Sequence, residues 1–298
     1  MHGHFWTIAP HFVDTVFTPK TPGISWTTTV SDSRYSSVEL SGFLDEVEGA
    51  NAIVLIVHGM CSTAEVPYVI MAGRDARKVG LSSLRLNLRG ADRCGQDIYH
   101  AGLVEDIEAT IASAEVQKYE TVYVLGFSLG GHVAMRYGLN PGPKVRRIVS
   151  LCAPLDLSAS CQHIDKLRQR VYRRHLMTGL KECARASELH REMELSHVGI
   201  ESIRTMREWD SRVVAPRFGF RNAEDYYQQM SMGPRLADMR VPALLVFAEK
   251  DPMVAAQHIR PSLRGINDQT EVRWLSGGHV CFPAKLKAVE SAMHWLTE

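Results

Sequence analysis

Thr121–His132 reads TVYVLGFSLGGH, and it decides the fold. Val122–Leu125 is an unbroken apolar run, as in a strand buried on both faces. Leu129, Val133 and Tyr137 recur at four-residue spacing and predict a helix. Between them, Gly126-Phe127-Ser128-Leu129-Gly130 fits G-x-S-x-G, the tight strand-to-helix turn that holds a serine hydroxyl out for attack. The pattern alone proves little, since 22 Gly and 22 Ser in 298 residues give on the order of 0.1 matches by chance. Its position between strand and helix is the context that chance does not provide. A serine that merely capped the helix would explain the hydroxyl but not both glycines.

The same alternation extends in both directions. Short β-type runs recur at Ala52–Val57, Leu84–Leu88, Val145–Cys152, Ala243–Ala248 and Glu271–Ser276, with helical spacing between them, as in Leu103, Ile107 and Ile111. Strands alternating with helices predict an open α/β fold, a mostly parallel sheet with helices on both faces. Ile24–Val30 and Ser36–Leu44 lack an intervening helix and read as an antiparallel hairpin on the sheet edge.

From about Ser160 to Gln229 the alternation breaks, and helical, polar sequence without a comparable strand takes over. The expected organisation is a core over 1–159 and 230–298, with a helical cap over 160–229 inserted in it. Ser160–Arg221 holds 13 Lys and Arg against 8 Asp and Glu, a net +5 in a chain whose total is +1. The insertion is therefore the basic part, although no Gly/Ser linker sets it off as an independent domain.

Composition excludes several classes. With 45% hydrophobic and 22% charged residues the chain is a globular one, and near-zero net charge argues against nucleic acid as a partner. No apolar run approaches the ~20 residues of a transmembrane helix. Met1–Pro10 lacks the pattern of a secretory signal, so a cytoplasmic setting is the default expectation and the six cysteines are expected to be reduced. No Cys or His spacing suggests structural zinc, and no motif announces a metal or cofactor; His2 and His4 read as incidental.

A serine nucleophile needs a histidine base and a carboxylate that orients it. On a sheet of this kind the order along the chain is Ser, Asp or Glu, then His, on loops after the last strands. Asp251 follows the strand Ala243–Ala248, and His279 follows Glu271–Ser276. Asp156 is the rival acid, with a structural role favoured; His132 and His58 are rival bases. The developing oxyanion needs amide donors, expected from Leu129 after the serine and from Met60 in His58-Gly59-Met60-Cys61. Lys166, Arg168, Arg170, Arg173 and Arg174 read first as a solvated face, open to an anionic lipid or carrier protein.

These residues resemble the α/β-hydrolase superfamily, and more narrowly its YheT-like esterase and lipase branch. The likeness rests on Asn87-Leu88-Arg89-Gly90, Tyr99-His100-Ala101-Gly102, Gly126 to Gly131, Glu208-Trp209-Asp210, Tyr226-Tyr227 and Gly277-Gly278-His279-Val280. The resemblance implies a triad of Ser128, Asp251 and His279, a cap over the acyl site, and cleavage of carboxylic esters with medium-chain or lipid-like acyl groups through an acyl-enzyme on Ser128. An acyltransferase or thioesterase would use the same residues, and a non-catalytic binder could keep the pocket. His132, Met60-Cys61 and Cys281 depart from the branch's pattern and are expected to surround the pocket.

Overall fold

All six residues of strand Ala52–Val57 are buried, as are all six of Ala243–Ala248, because each strand is covered by helices on both faces. Each fully buried Val, Ile or Leu side chain contributes roughly 1.5–3 kcal/mol relative to exposure. In the computed structural model, which describes residues 23–187 and 197–298, these strands lie in one eight-stranded sheet. Its strands are β1 (Ile24–Asp32), β2 (Ser36–Asp45), β3 (Ala52–Val57), β4 (Ser82–Asn87), β5 (Thr121–Phe127), β6 (Val145–Leu151), β7 (Ala243–Ala248) and β8 (Thr270–Leu275). The spatial order is β1-β2-β4-β3-β5-β6-β7-β8. The β1–β2 hairpin is antiparallel and sits on the edge, β2 meets β4 antiparallel, and the rest pair in parallel. Its alternating burial, against the solid burial of β3, is what an edge hairpin with one wet face requires.

Helix α1 (Pro67–Lys78) covers one face, together with the carboxyl-terminal helix Ala288–Thr297; α2 (Glu105–Ala112) and α3 (Leu129–Tyr137) cover the other. The chain leaves β3 toward β4 and returns to the opposite side of β3 as β5, so a crevice opens at the carboxyl ends of β3 and β5. Between β6 and β7 the described chain is helical without a strand: α4 (Leu157–Asp165), α5 (Arg170–Ala186), α6 (His197–Ser202), a helical stretch over 206–218 with a π-helical middle at Asp210–Val214, and α7 (Ala223–Met230). Residues 1–22, with His2 and His4, and 188–196 of the expected cap lie outside the described residues.

A buried ion network joins this helical insertion to the core. Arg89, after β4, donates to both oxygens of Asp106 on α2 at 2.7–2.9 Å and to Asp32 at 3.0 Å. Arg217 of the insertion donates to Asp97 at 2.6 and 2.8 Å and to the same Asp32 at 2.9 Å. All five side chains are under 10% exposed. Buried charges persist only when geometry satisfies each of them, so the network fixes where the insertion sits.

Candidate active site

Ser128 stands between β5 and α3 with φ 51° and ψ −117°, a conformation rarely adopted by a residue with a side chain. The turn closes because glycines remove the obstacles: a Cβ on Gly126 would lie 2.2 Å from the Gly130 carbonyl oxygen, and one on Gly130 would lie 2.4 Å from that of His58. The Ser128 amide donates to Leu151 O of β6 at 2.7 Å, anchoring the elbow to the sheet.

Asp251 and His279 come to this edge from the loops after β7 and β8. His279 Nε2 lies 2.8 Å from Ser128 Oγ, and His279 Nδ1 lies 2.8 Å from Asp251 Oδ2. Asp251 Oδ1 accepts the amides of Met253 and Val254 at 2.8 and 2.9 Å. With Asp251 accepting at Nδ1, that nitrogen carries the proton and Nε2 is left to accept from the serine hydroxyl. Both residues are buried. The thiol of Cys152 completes a tight group with Asp251 and His279; burial holds it well above the usual thiol range. It stays a neutral thiol beside the Asp251 carboxylate, which also accepts two amides and faces the imidazole.

Leu129 opens α3, so its N–H is one of the donors a helix start leaves without an intrahelical acceptor. Met60 sits in the loop after β3, bracketed by two tyrosines. The Gly59 amide donates to Tyr68 Oη at 3.0 Å and the Cys61 amide to Tyr99 Oη at 2.7 Å. Tyr99 falls in one of the segments that carry the resemblance and Tyr68 in none, but no spacing in the sequence ties either to this loop.

The rivals have other partners. His58 Nε2 accepts the Leu88 amide at 3.2 Å, and Nδ1 lies 2.7 Å from the Gly59 carbonyl; burial pushes its pKa down to about 4. It shapes the loop as a neutral ring. Asp156 caps α4, accepting the Ala159 amide at 2.9 Å. His132, fully buried, faces Pro154 O at 2.6 Å and Met230 O at 2.9 Å, and burial pushes its pKa down to about 4. It ties α3 to the end of the insertion.

Ser128 and His279 open into a cavity of about 450 Å³. Its walls come from the core, with Met60, Leu129 and Cys281, and from the insertion, with Ile164, Tyr172 and Leu176. Of the departures expected around the pocket, Met60 and Cys281 line it, whereas His132 and Cys61 do not. His132 is instead turned behind the elbow by its two carbonyl contacts. One polar island interrupts the insertion's wall: Tyr227 Oη donates to Asp210 Oδ2 at 2.6 Å and lies 3.0 Å from Cys161 Sγ. Burial pushes the Asp210 pKa up to about 7. The only sequence signal was that both residues fall in segments shared with the esterase branch.

Residues 48–278 match the Hydrolase_4 family, described as serine aminopeptidase, S33. YheT of Escherichia coli, which carries an esterase name, is 28% identical over 240 residues, covering 77% of this chain and 70% of that protein. The monoacylglycerol lipase of Saccharomyces cerevisiae is 25% identical over 249 residues, covering 78% and 55%. The chain thus spans little more than half the length of that relative. Phospholipase ABHD3 of Bos taurus is 23% identical over 242 residues, covering 77% and 58%. An esterase structure from Pyrococcus furiosus shares the fold with a TM-score of 0.60 at 17% identity, over 94% of this chain and 96% of that one. Among the described residues no helix is long and apolar enough to cross a membrane. A family match running from residue 48 to residue 278, on this sheet, decides the matter: the chain belongs to the Hydrolase_4 family of α/β-hydrolases and is a serine hydrolase of the esterase and lipase kind.

Proposed function

We propose that the protein cleaves carboxylic esters, medium-chain or lipid-like in their acyl part, through an acyl-enzyme on Ser128. The observation that carries this reading is the unbroken hydrogen-bonded chain from Ser128 Oγ through His279 to Asp251, opening into a largely apolar cavity. As Ser128 Oγ attacks the ester carbonyl, His279 Nε2 takes its proton, and Asp251 holds the ring in that tautomer and stabilises its charged form. The oxyanion meets the amides of Met60 and Leu129, where loss of one donor typically costs ~10²–10³ in rate. Collapse expels the alcohol, which receives the proton from His279. Water, deprotonated by the same nitrogen, then attacks the acyl-enzyme and frees the carboxylic acid and Ser128.

Each CH₂ of an acyl chain buried in the cavity adds up to ~0.8 kcal/mol, so binding strengthens with chain length until the cavity ends. The names of the yeast and bovine relatives, a monoacylglycerol lipase and a phospholipase, support a lipid-like acyl group.

A fluorophosphonate probe located by mass spectrometry, with a series of nitrophenyl esters on wild type and Ser128→Ala, tests the reading. Labelling of Ser128 and kcat/KM peaking at medium chains are expected. Labelling elsewhere overturns the nucleophile, acetate as the best ester overturns the acyl class, and faster cleavage of aminoacyl nitroanilides moves the activity to amide bonds.

A further inference from the structure

Large apolar side chains rarely stand in water without a reason when they are clustered. Leu167 is 78% exposed and Val171 is 63% exposed, one helical turn apart where a short 3₁₀ turn runs into α5. Exposed Lys166, Arg168, Arg170 and Arg174 surround them in the chain. From Lys166 to Lys181 there are six Lys and Arg and no Asp or Glu. Among the described residues none of those four cations is paired with a carboxylate, whereas Arg185, Arg207 and Arg221 of the same insertion are. The stretch keeps its ordinary core face, since Tyr172, Leu176 and Leu180 are buried. Among the described residues its outward face is therefore a second surface without an acidic partner.

The position of this patch gives it a use. Val171 lines the cavity that holds Ser128 and His279, as do Tyr172, His175 and Leu176. A residue that both lines the cavity and stands mostly in solvent marks its mouth, so the patch borders the entrance.

We propose that Leu167 and Val171, with Lys166, Arg168, Arg170 and Arg174 around them, dock the protein on an anionic lipid surface and set the cavity mouth against it. Basic side chains gather at anionic headgroups, and protruding apolar ones enter the interface beneath them. A bilayer accepts two protruding aliphatic side chains without shape matching, whereas an acidic protein would need a complementary pocket for them. Docking is a binding event independent of turnover, so its failure and that of the esterase reading are separable.

Flotation of the whole protein with phosphatidylcholine vesicles, with and without phosphatidylglycerol, at low and high salt, tests it. Wild type is expected to float with the anionic vesicles at low salt and to lose at least ~10-fold in binding on pure phosphatidylcholine or at high salt. Leu167→Glu and the pair Arg168→Glu with Arg174→Glu should each lose at least ~10-fold in vesicle binding while keeping their circular dichroism and their turnover of a short dissolved ester. Leu167→Trp should add emission that shifts to the blue on anionic vesicles. No binding, or equal binding to both vesicle types, overturns the proposal. Salt-sensitive binding that ignores Leu167, with no blue shift, also overturns it and points to a soluble acidic partner.

Discussion

The sheet edge that carries Ser128 and the helical insertion that walls its cavity are held by opposite means. At the edge, position is set by backbone: a serine at φ 51°, glycines packed against carbonyl oxygens, and amides that fix Asp251. In the insertion, position is set by side-chain polarity. Asp165 accepts the amides of Met206 and Arg207, Thr205 and Glu208 form a capping box, and Arg217 reaches across to Asp32 and Asp97. Backbone sterics leave no room for substitution, which suits groups that must meet within a few tenths of an ångström. Polar pairs can be rearranged by sequence change, which suits a wall that selects what enters.

The largest effects that could break this comparison lie at the edge. Ser128→Ala and His279→Ala should each lower kcat/KM by about 10⁴–10⁶ on a medium-chain ester, with the double variant little worse than either. Circular dichroism should be unchanged, and additive losses would show that the residues do not act as a unit. Asp251→Asn should lower kcat by ~10⁴ with a smaller effect on KM.

Breaking the link between the regions comes next. Arg217→Ala leaves Asp97 buried without its bidentate partner, so a loss of about 3–5 kcal/mol is expected, or roughly 5–8 °C in Tm for a chain of this size. Thermal unfolding measures it, and an unchanged Tm would mean that the network does not anchor the insertion.

The polar island gives a pH signature. The folded-state pKa of Asp210, about 7, lies above the ordinary 3.8, so the folded protein holds this proton more tightly than the unfolded chain. The stability from that proton is complete below about pH 4 and is lost as pH rises through 7. With each pKa unit equal to about 1.4 kcal/mol, Tm of wild type minus Tm of Asp210→Asn should fall by several degrees between about pH 5 and pH 8. A difference that stays flat rejects the assignment. The smallest effect belongs to Asp156→Ala, which should cost about 1 kcal/mol through the lost cap and leave kcat within about twofold. An inactive but well-folded Asp156→Ala would return this residue to the list of candidate acids.

What could be read from the chain was local. Continuous apolar runs placed β3 and β7 to the residue and β5 within two, because burial on both faces leaves no alternation to misread. The order Ser128, Asp251, His279 followed from strand succession, and the structure brings these three within hydrogen-bonding distance. The sequence by itself thus determined the parallel sheet, the elbow and which loops reach its carboxyl edge, since strand period and glycine placement act over a few residues. Only the tertiary structure decided that His132 turns behind the elbow while Met60 and Cys281 face the cavity, that Asp210 meets Tyr227, and that Arg217 finds Asp97 from 120 residues away. It also decided that Leu167 and Val171 stand in solvent at the cavity mouth. These outcomes depend on which surfaces meet once the helices pack, and the periodicity of a single element carries no record of its partners.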